Sequence, residues 1–176
     1  RGICGDGNEK VRGVLKKMNQ ERWSATELSR RIREGKMTVQ DAVELVYSNI
    51  EKKEKEYHCY ITVRDKQEVL EEAVHLQQEI SEGKYADSPI AGVPAALKDN
   101  LCLEGMKMTC ASRMLEHFVS PYTADAVRRL TEAGVLIIGK TNMDEFSMGN
   151  TTTSSYFGPT LNPAAQGCIP GGSSGG

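Results

Sequence analysis

No stretch of eighteen or more apolar residues occurs in the 176-residue chain, so no membrane-spanning helix is expected. No positively charged start leads into an apolar segment, and a secretory signal is not expected either. The basic excess of a protein that coats nucleic acid is missing too: the formal net charge is −2. Paired cysteines are lacking. The five, Cys4, Cys59, Cys102, Cys110 and Cys168, are odd in number and scattered, which fits free thiols in a reducing cytoplasm better than a disulfide framework. Cys102 and Cys110 with His117 make a poor zinc set, since no close Cys pair accompanies them, and no metal ligand is assigned.

Residues 1–17 carry Gly2, Gly5, Gly7 and Gly13 among charges, with no apolar period. They read as an upstream or disordered arm, with Met18 as a natural start and residues 18–176 as one folding unit. A capping box is expected at Ser24-Ala-Thr-Glu27, where hydroxyl and carboxylate would each satisfy an end amide of a helix. Thr38-Val-Gln-Asp41 has the same logic. Val39, Ala42, Val43, Val46 and Ile50 then fall on one helical face, and Gly35 can stop the preceding helix in a left-handed turn. Glu51 to Glu56 reads as a solvated charge run.

Tyr60 to Val63 is a short β-prone run. Asp65 with Glu68 opens a third helix, buried through Val69, Ala73, Leu76 and Ile80. Ile90 to Leu97 reads as a buried strand interrupted by Pro94, with Lys98 at its end. A fourth helix, capped by Thr123, would carry Val127 and Leu130 inward and stop near Gly134. Val135 to Ile138 is a wholly apolar strand, as in a sheet covered on both faces. The pattern predicts an α/β fold, a mixed β-sheet core flanked by helices. Beyond Thr141 only Met143 to Met148 looks helical. So long an irregular stretch inside a compact unit points to function.

Gly134-Val-Leu-Ile-Ile-Gly139-Lys140-Thr141 matches the phosphate-binding P-loop pattern letter for letter. A P-loop needs a strand before the first glycine and a flexible turn between the glycines. Here a helix precedes, and four bulky apolar residues intervene. Nucleotide binding at this stretch is rejected.

Three segments carry the chemistry: IAGVPAALKDN ending at Lys98-Asp99-Asn100, then GVLIIGKTNMDEFSMGNTTTSSYFGPTLNP, then IPGGSSGG at the end of the chain. Hydrolysis of an amide needs a nucleophile, a base and donors for the oxyanion. A lysine amine serves as that base only in its neutral form, which desolvation at the end of an apolar strand favours, and a neighbouring serine can relay the proton. A bare run of Gly and Ser alone reads as a linker.

Taken together, the three segments resemble the amidase signature family, from about Trp23 onward and most densely after Gly92. The resemblance implies the N-terminal part of that family's single catalytic domain. Lys98 would be the base, Ser173 the bridging serine, and Gly172–Ser173 a cis peptide bond, supported by Gly171, Gly172, Ser174 and Gly175. The acyl-forming serine of the family and its oxyanion hole lie in a later glycine- and serine-rich stretch, so the nucleophile is expected beyond Gly176. Ser147, Ser154, Ser155 and Ser174 are assigned no such role. Gly149, Asn150 and Thr151 resemble a substrate-side loop offering backbone groups to the carboxamide. Ala164, Ala165 and Cys168 depart from the Trp-Asp and basic residue usual after Asn162-Pro163, which bears on packing beneath the glycine loop.

Within the family, the resemblance is strongest to the glutamine-hydrolysing A subunits of tRNA-dependent amidotransferases, notably at Met143-Asp144-Glu145-Phe146. That implies release of ammonia from glutamine, B and C partner subunits, aminoacyl-tRNA reached through the B subunit, and a cytoplasmic location. No cofactor is expected in this subunit, with ATP and Mg used by the partner. A stand-alone amidase for another small amide and a truncated, non-catalytic assembly module are the alternatives.

Overall fold

A computed structural model describes residues 23–176, so the expectation for residues 1–17 lies outside the described residues. The elements in chain order are α1 (Ala25–Arg33), α2 (Val39–Tyr57), β1 (Tyr60–Val63), α3 (Lys66–Ser81), β2 (Pro94–Lys98), α4 (Asp125–Glu132) and β3 (Leu136–Thr141). Single 3₁₀ turns occupy Arg113–Leu115 and Glu145–Ser147. Among the described residues the strands form one sheet in the order β1-β3-β2, with β1 antiparallel and β2 parallel to β3. The mixed α/β architecture is therefore the expected one.

The apolar run of β3 is continuous because both faces of the sheet are covered. Side chains alternate along a strand, and Leu136 and Ile138 enter a core with Ile32, Val39, Val43, Val69 and Ala73 from α1, α2 and α3. Val135 and Ile137 face the other way, against Leu97 and against Val127 of α4. β3 runs further than the apolar residues suggest, through Gly139, Lys140 and Thr141. Gly139 is where β1 crosses closely: a Cβ there would meet the Thr62 carbonyl oxygen. Of the P-loop-like letters, Leu136 to Thr141 are thus strand, with Gly134 in the turn before it, and the Lys140 side chain is fully buried.

Helix starts follow local chemistry with two departures. At α2 the capping box is complete: Thr38 Oγ1 accepts from Asp41 N at 3.0 Å and Asp41 Oδ2 accepts from Thr38 N at 2.9 Å. At α1 only half forms. Ser24 Oγ accepts from Glu27 N at 3.2 Å, but the Glu27 carboxylate is drawn to Arg30 and Arg31. Thr123 does not cap α4; its hydroxyl accepts from Glu104 N at 3.1 Å, and Ala124 stands at the N-cap position without a side-chain cap. Asp65 caps α3 as expected, and Gly35, at φ +67, ends α1.

Two further expectations are corrected. Pro94 opens β2 rather than interrupting it, with Ile90 to Val93 turning into the sheet; a residue without an N–H donor is placed at low cost at the start of a strand. Met143 to Met148 is not an α-helix. Phe146 and Ser147 both take positive φ, and only one 3₁₀ turn forms.

Candidate active site

Lys98 is the last residue of β2 and pairs in register with Thr141 at the end of β3. β3 then continues as an irregular ribbon, Asn142-Met143-Asp144, on which the glycine- and serine-rich segment is laid. Met143 bridges antiparallel to Ser174, Asp144 N donates to the Ser173 carbonyl at 2.9 Å, and the Asn142 carbonyl accepts from Gly175 N and Gly176 N at 3.3 and 3.0 Å. These bonds make Gly171 to Gly176 an ordered ledge, not a linker. Ser173 lands over the end of β2. Its Oγ accepts from Lys98 Nζ at 2.5 Å, and both residues are half-buried. The Gly172–Ser173 peptide bond is cis.

Beneath the strand end lies a second lysine. Because side chains alternate, Asp99 and Lys140 point to the face opposite Lys98. Both side chains are fully buried, and Lys140 Nζ lies 3.2 Å from Asp99 Oδ1 and 3.3 Å from the Lys107 carbonyl. Asp99 Oδ2 accepts from Thr109 Oγ1 at 2.5 Å and Thr109 N at 2.9 Å. The carboxylate thereby ties the strand end to the 109–111 loop.

The ribbon carries two polar knots that sequence reasoning passed over. Asn142 donates through Nδ2 to the Gly158 carbonyl, Thr160 Oγ1 and the His58 carbonyl at 2.9, 3.1 and 3.2 Å, and its Oδ1 accepts from Ser155 Oγ at 2.7 Å. Asp144 is 1% exposed; Oδ1 accepts from Ser154 Oγ at 2.9 Å and Oδ2 from Thr151 N at 3.2 Å. Burial pushes the Asp144 carboxyl up. Hydrogen bonds from the Thr152 backbone, from the hydroxyl and backbone of Ser154 and from the Thr151 backbone outweigh it and hold the group below the usual carboxylate range. The readable signal for both knots was a polar residue next to a strand end, followed by a Ser- and Thr-rich loop.

The loop of Gly149, Asn150 and Thr151 touches this ledge. A Cβ on Gly172 would meet the Asn150 carbonyl carbon, Thr151 N and the Asp144 carboxylate. Gly149 and Asn150 are exposed, while the Thr151 amide is spent on Asp144. Ser147 Oγ accepts from Asn100 Nδ2 at 3.1 Å, and the hydroxyls of Ser154 and Ser155 donate to Asp144 and Asn142. Where Ala164 and Ala165 stand, Asn162 Oδ1 accepts both their amides and its Nδ2 donates to the Ile169 carbonyl at 3.0 Å, so the side chain of Asn162 holds this turn. Cys59, Cys102, Cys110 and Cys168 are free thiols.

A family model described as Amidase matches residues 41–176, a span that holds both Lys98 and Ser173. The chain belongs to the amidase family. Its sequence is 55% identical over 153 residues to the A subunit of the glutamyl-tRNA(Gln) amidotransferase of Lachnoclostridium phytofermentans, covering 87% of this chain and 31% of that protein. The solved A subunit of the Thermotoga maritima glutamyl-tRNA(Gln) amidotransferase superposes with a TM-score of 0.60 at 31% identity, over 82% of this chain and 30% of that one. A chain from a vestigial complex linked to the origins of an s-triazine catabolic enzyme superposes with a TM-score of 0.79 at 29% identity, over 87% of this chain and 33% of its own. The chain thus spans about a third of the length of these relatives. Among the described residues no helix is long and apolar enough to cross a membrane.

Proposed function

We propose that this chain is part of the glutamine-hydrolysing subunit of a tRNA-dependent amidotransferase. The observation that carries the reading is the contact between Lys98 Nζ and Ser173 Oγ. Lys98 is the base and Ser173 the relay. As an attacking hydroxyl approaches the glutamine carboxamide, its proton passes to Ser173 Oγ while the Ser173 proton passes to Lys98 Nζ; the return of that proton to the leaving nitrogen releases ammonia. Gly171, Gly172, Ser174 and Gly175 support the turn. Gly149 and Asn150 offer backbone groups to the substrate, and Thr151 shapes the loop through its bond to Asp144.

The nucleophile in this reading is none of Ser147, Ser154, Ser155 or Ser174 and belongs to sequence beyond Gly176. The 176-residue chain alone is accordingly inactive. The ammonia feeds a B subunit that uses ATP and Mg to activate Glu-tRNA(Gln) or Asp-tRNA(Asn), with a C subunit bracing the pair, in the cytoplasm. The preference for this over a stand-alone amidase rests on the identity to amidotransferase A subunits.

The test is ammonia release from glutamine by the subunit spanning the family's full length, with B and C partners and charged tRNA present. Glutamine-dependent amidation of the tRNA is expected. Hydrolysis of unrelated small amides with no response to tRNA would overturn it in favour of the stand-alone enzyme. Turnover by the 176-residue chain above that of its Lys98→Ala variant would overturn the assignment of roles.

A further inference from the structure

The peptide unit that carries Ser173 is flanked by two carbonyls, and each is held by a donor from a different segment. Thr152 Oγ1 donates to the Gly171 carbonyl at 2.7 Å, and Asp144 N donates to the Ser173 carbonyl at 2.9 Å. The two donors are locked to one another by the Asp144 carboxylate, which accepts from Thr151 N and Ser154 Oγ on either side of Thr152. Thr152 is fully buried and sits at φ +60, a region that β-branched residues rarely enter. Such a conformation persists only where the surroundings over-determine it. Space is equally committed. Cβ atoms on Gly149 or Gly172 would run into the Asp144 carboxylate, and one on Gly175 into the Thr152 side chain. These two side chains are therefore the floor on which the ledge rests.

We propose that Asp144 and Thr152 are positioning residues that hold Ser173 at Lys98 by fixing the carbonyls before and after the Gly172–Ser173 unit. Neither touches the Ser173 hydroxyl. Their functional meaning rests on the proposed role of Ser173 as proton relay; the placement itself does not. The carboxylate form of Asp144 suits the task, because all the groups it gathers are donors.

Three variants test this in the full-length enzyme. Thr152→Val removes the hydroxyl and keeps the branch, Thr152→Ser restores a hydroxyl, and Asp144→Asn keeps the shape without the charge. The readouts are hydrogen exchange of the Asp144 amide and the ¹⁵N shift of Lys98 Nζ, with the amides of Val43 and Val69 as core controls. Thr152→Val and Asp144→Asn should speed exchange at Asp144 by about tenfold or more while the core amides hold. Both should move the Lys98 signal toward its position in Ser173→Ala, and Thr152→Ser should return both readouts. Should Asp144→Asn fail to fold, the Thr152 pair decides alone. A native Lys98 signal and native exchange in Thr152→Val overturn the proposal, as does loss of protection in loop and core by the same factor. In the full-length enzyme the Thr152→Val change should lower kcat and leave KM near its native value. An active Lys98→Ala enzyme in which Thr152→Val still frees the Asp144 amide would sink the catalytic reading and leave the clamp standing.

Discussion

The amine of Lys98 and the hydroxyl of Ser173 meet at 2.5 Å although 75 positions separate them in the chain. Nothing local favours that meeting. It is imposed by the parallel pairing of β2 with β3 and by the bridge from Met143 to Ser174, which bring the end of one strand beneath the turn of another segment.

If Lys98 is a base, Lys98→Arg should be nearly as damaging as Lys98→Ala in the full-length enzyme. Arginine keeps the charge but gives up no proton in a protein. A general base contributes about a hundred- to ten-thousand-fold, so turnover measured beside circular dichroism will show the loss clearly. Ser173→Ala should also be slow, with affinity for glutamine changed far less than turnover. An arginine variant retaining more than about a tenth of the parental rate would remove Lys98 from this role.

Asp144 predicts a pH signature. Its folded carboxyl is held below its ordinary value, so the stability it contributes is complete above the unfolded value, about 3.9, and is lost as pH falls through the folded one. Asp144→Asn should lower stability at pH 6 by about 1–3 kcal/mol, the cost of leaving buried donors unmatched. The gap between parent and variant should narrow below about pH 4. Urea unfolding at stepped pH measures it, and a gap that stays constant to pH 3 contradicts the assignment.

The pair of Asp99 and Lys140 is fully buried. Removing one partner leaves an uncompensated charge at a cost of about 3–5 kcal/mol. Lys140→Ala should therefore unfold at far lower urea than the parent, or not accumulate as folded protein. Lys140→Met combined with Asp99→Asn should be milder than the sum of the two single changes, since the pair leaves together. Mg-ATP should not raise the melting temperature of the parent, because this lysine is occupied. A shift of several degrees with ATP would revive the P-loop reading.

Alone, the 176-residue chain should bind an apolar dye and melt with poor cooperativity. Met114 and Met148 are 83% and 80% exposed, Ile169 and Tyr122 more than half exposed, and β1 and β2 are the edges of the sheet. A sharp thermal transition of a monomer that leaves the dye dark would contradict this.

How much of this could be read from the chain depends on the range of the interactions. α2, α3 and β1 follow from spacing and capping because their determinants lie within a few residues of one another, as with Thr38 and Asp41. Lys98 at a strand end was legible for the same reason, whereas the pairing of Ser173 with Lys98 came only from the family resemblance of three distant segments. The failures share one cause. Glu27 and Thr123 have local partners in principle, but Arg30 and Arg31 in one case and the Glu104 amide in the other compete and win. Met143 to Met148 has helical spacing, yet its backbone groups are taken by Ser173 and by Cys110, whose carbonyl accepts from Phe146 N. Thr152 carries no local mark, because it is defined by the Gly171 carbonyl 19 positions away.

The order in which these contacts become available follows the direction of synthesis. Lys140 reaches Asp99 after 41 residues, whereas Ser173 follows Lys98 only after 75. At a ribosomal pace of 5–20 residues per second, Lys98 waits roughly 4–15 s for its serine. The partners of the buried pair are both present before that interval ends, so the strand end can be anchored before the glycine turn emerges. Synthesis thus makes the footing available before the contact between Lys98 and Ser173.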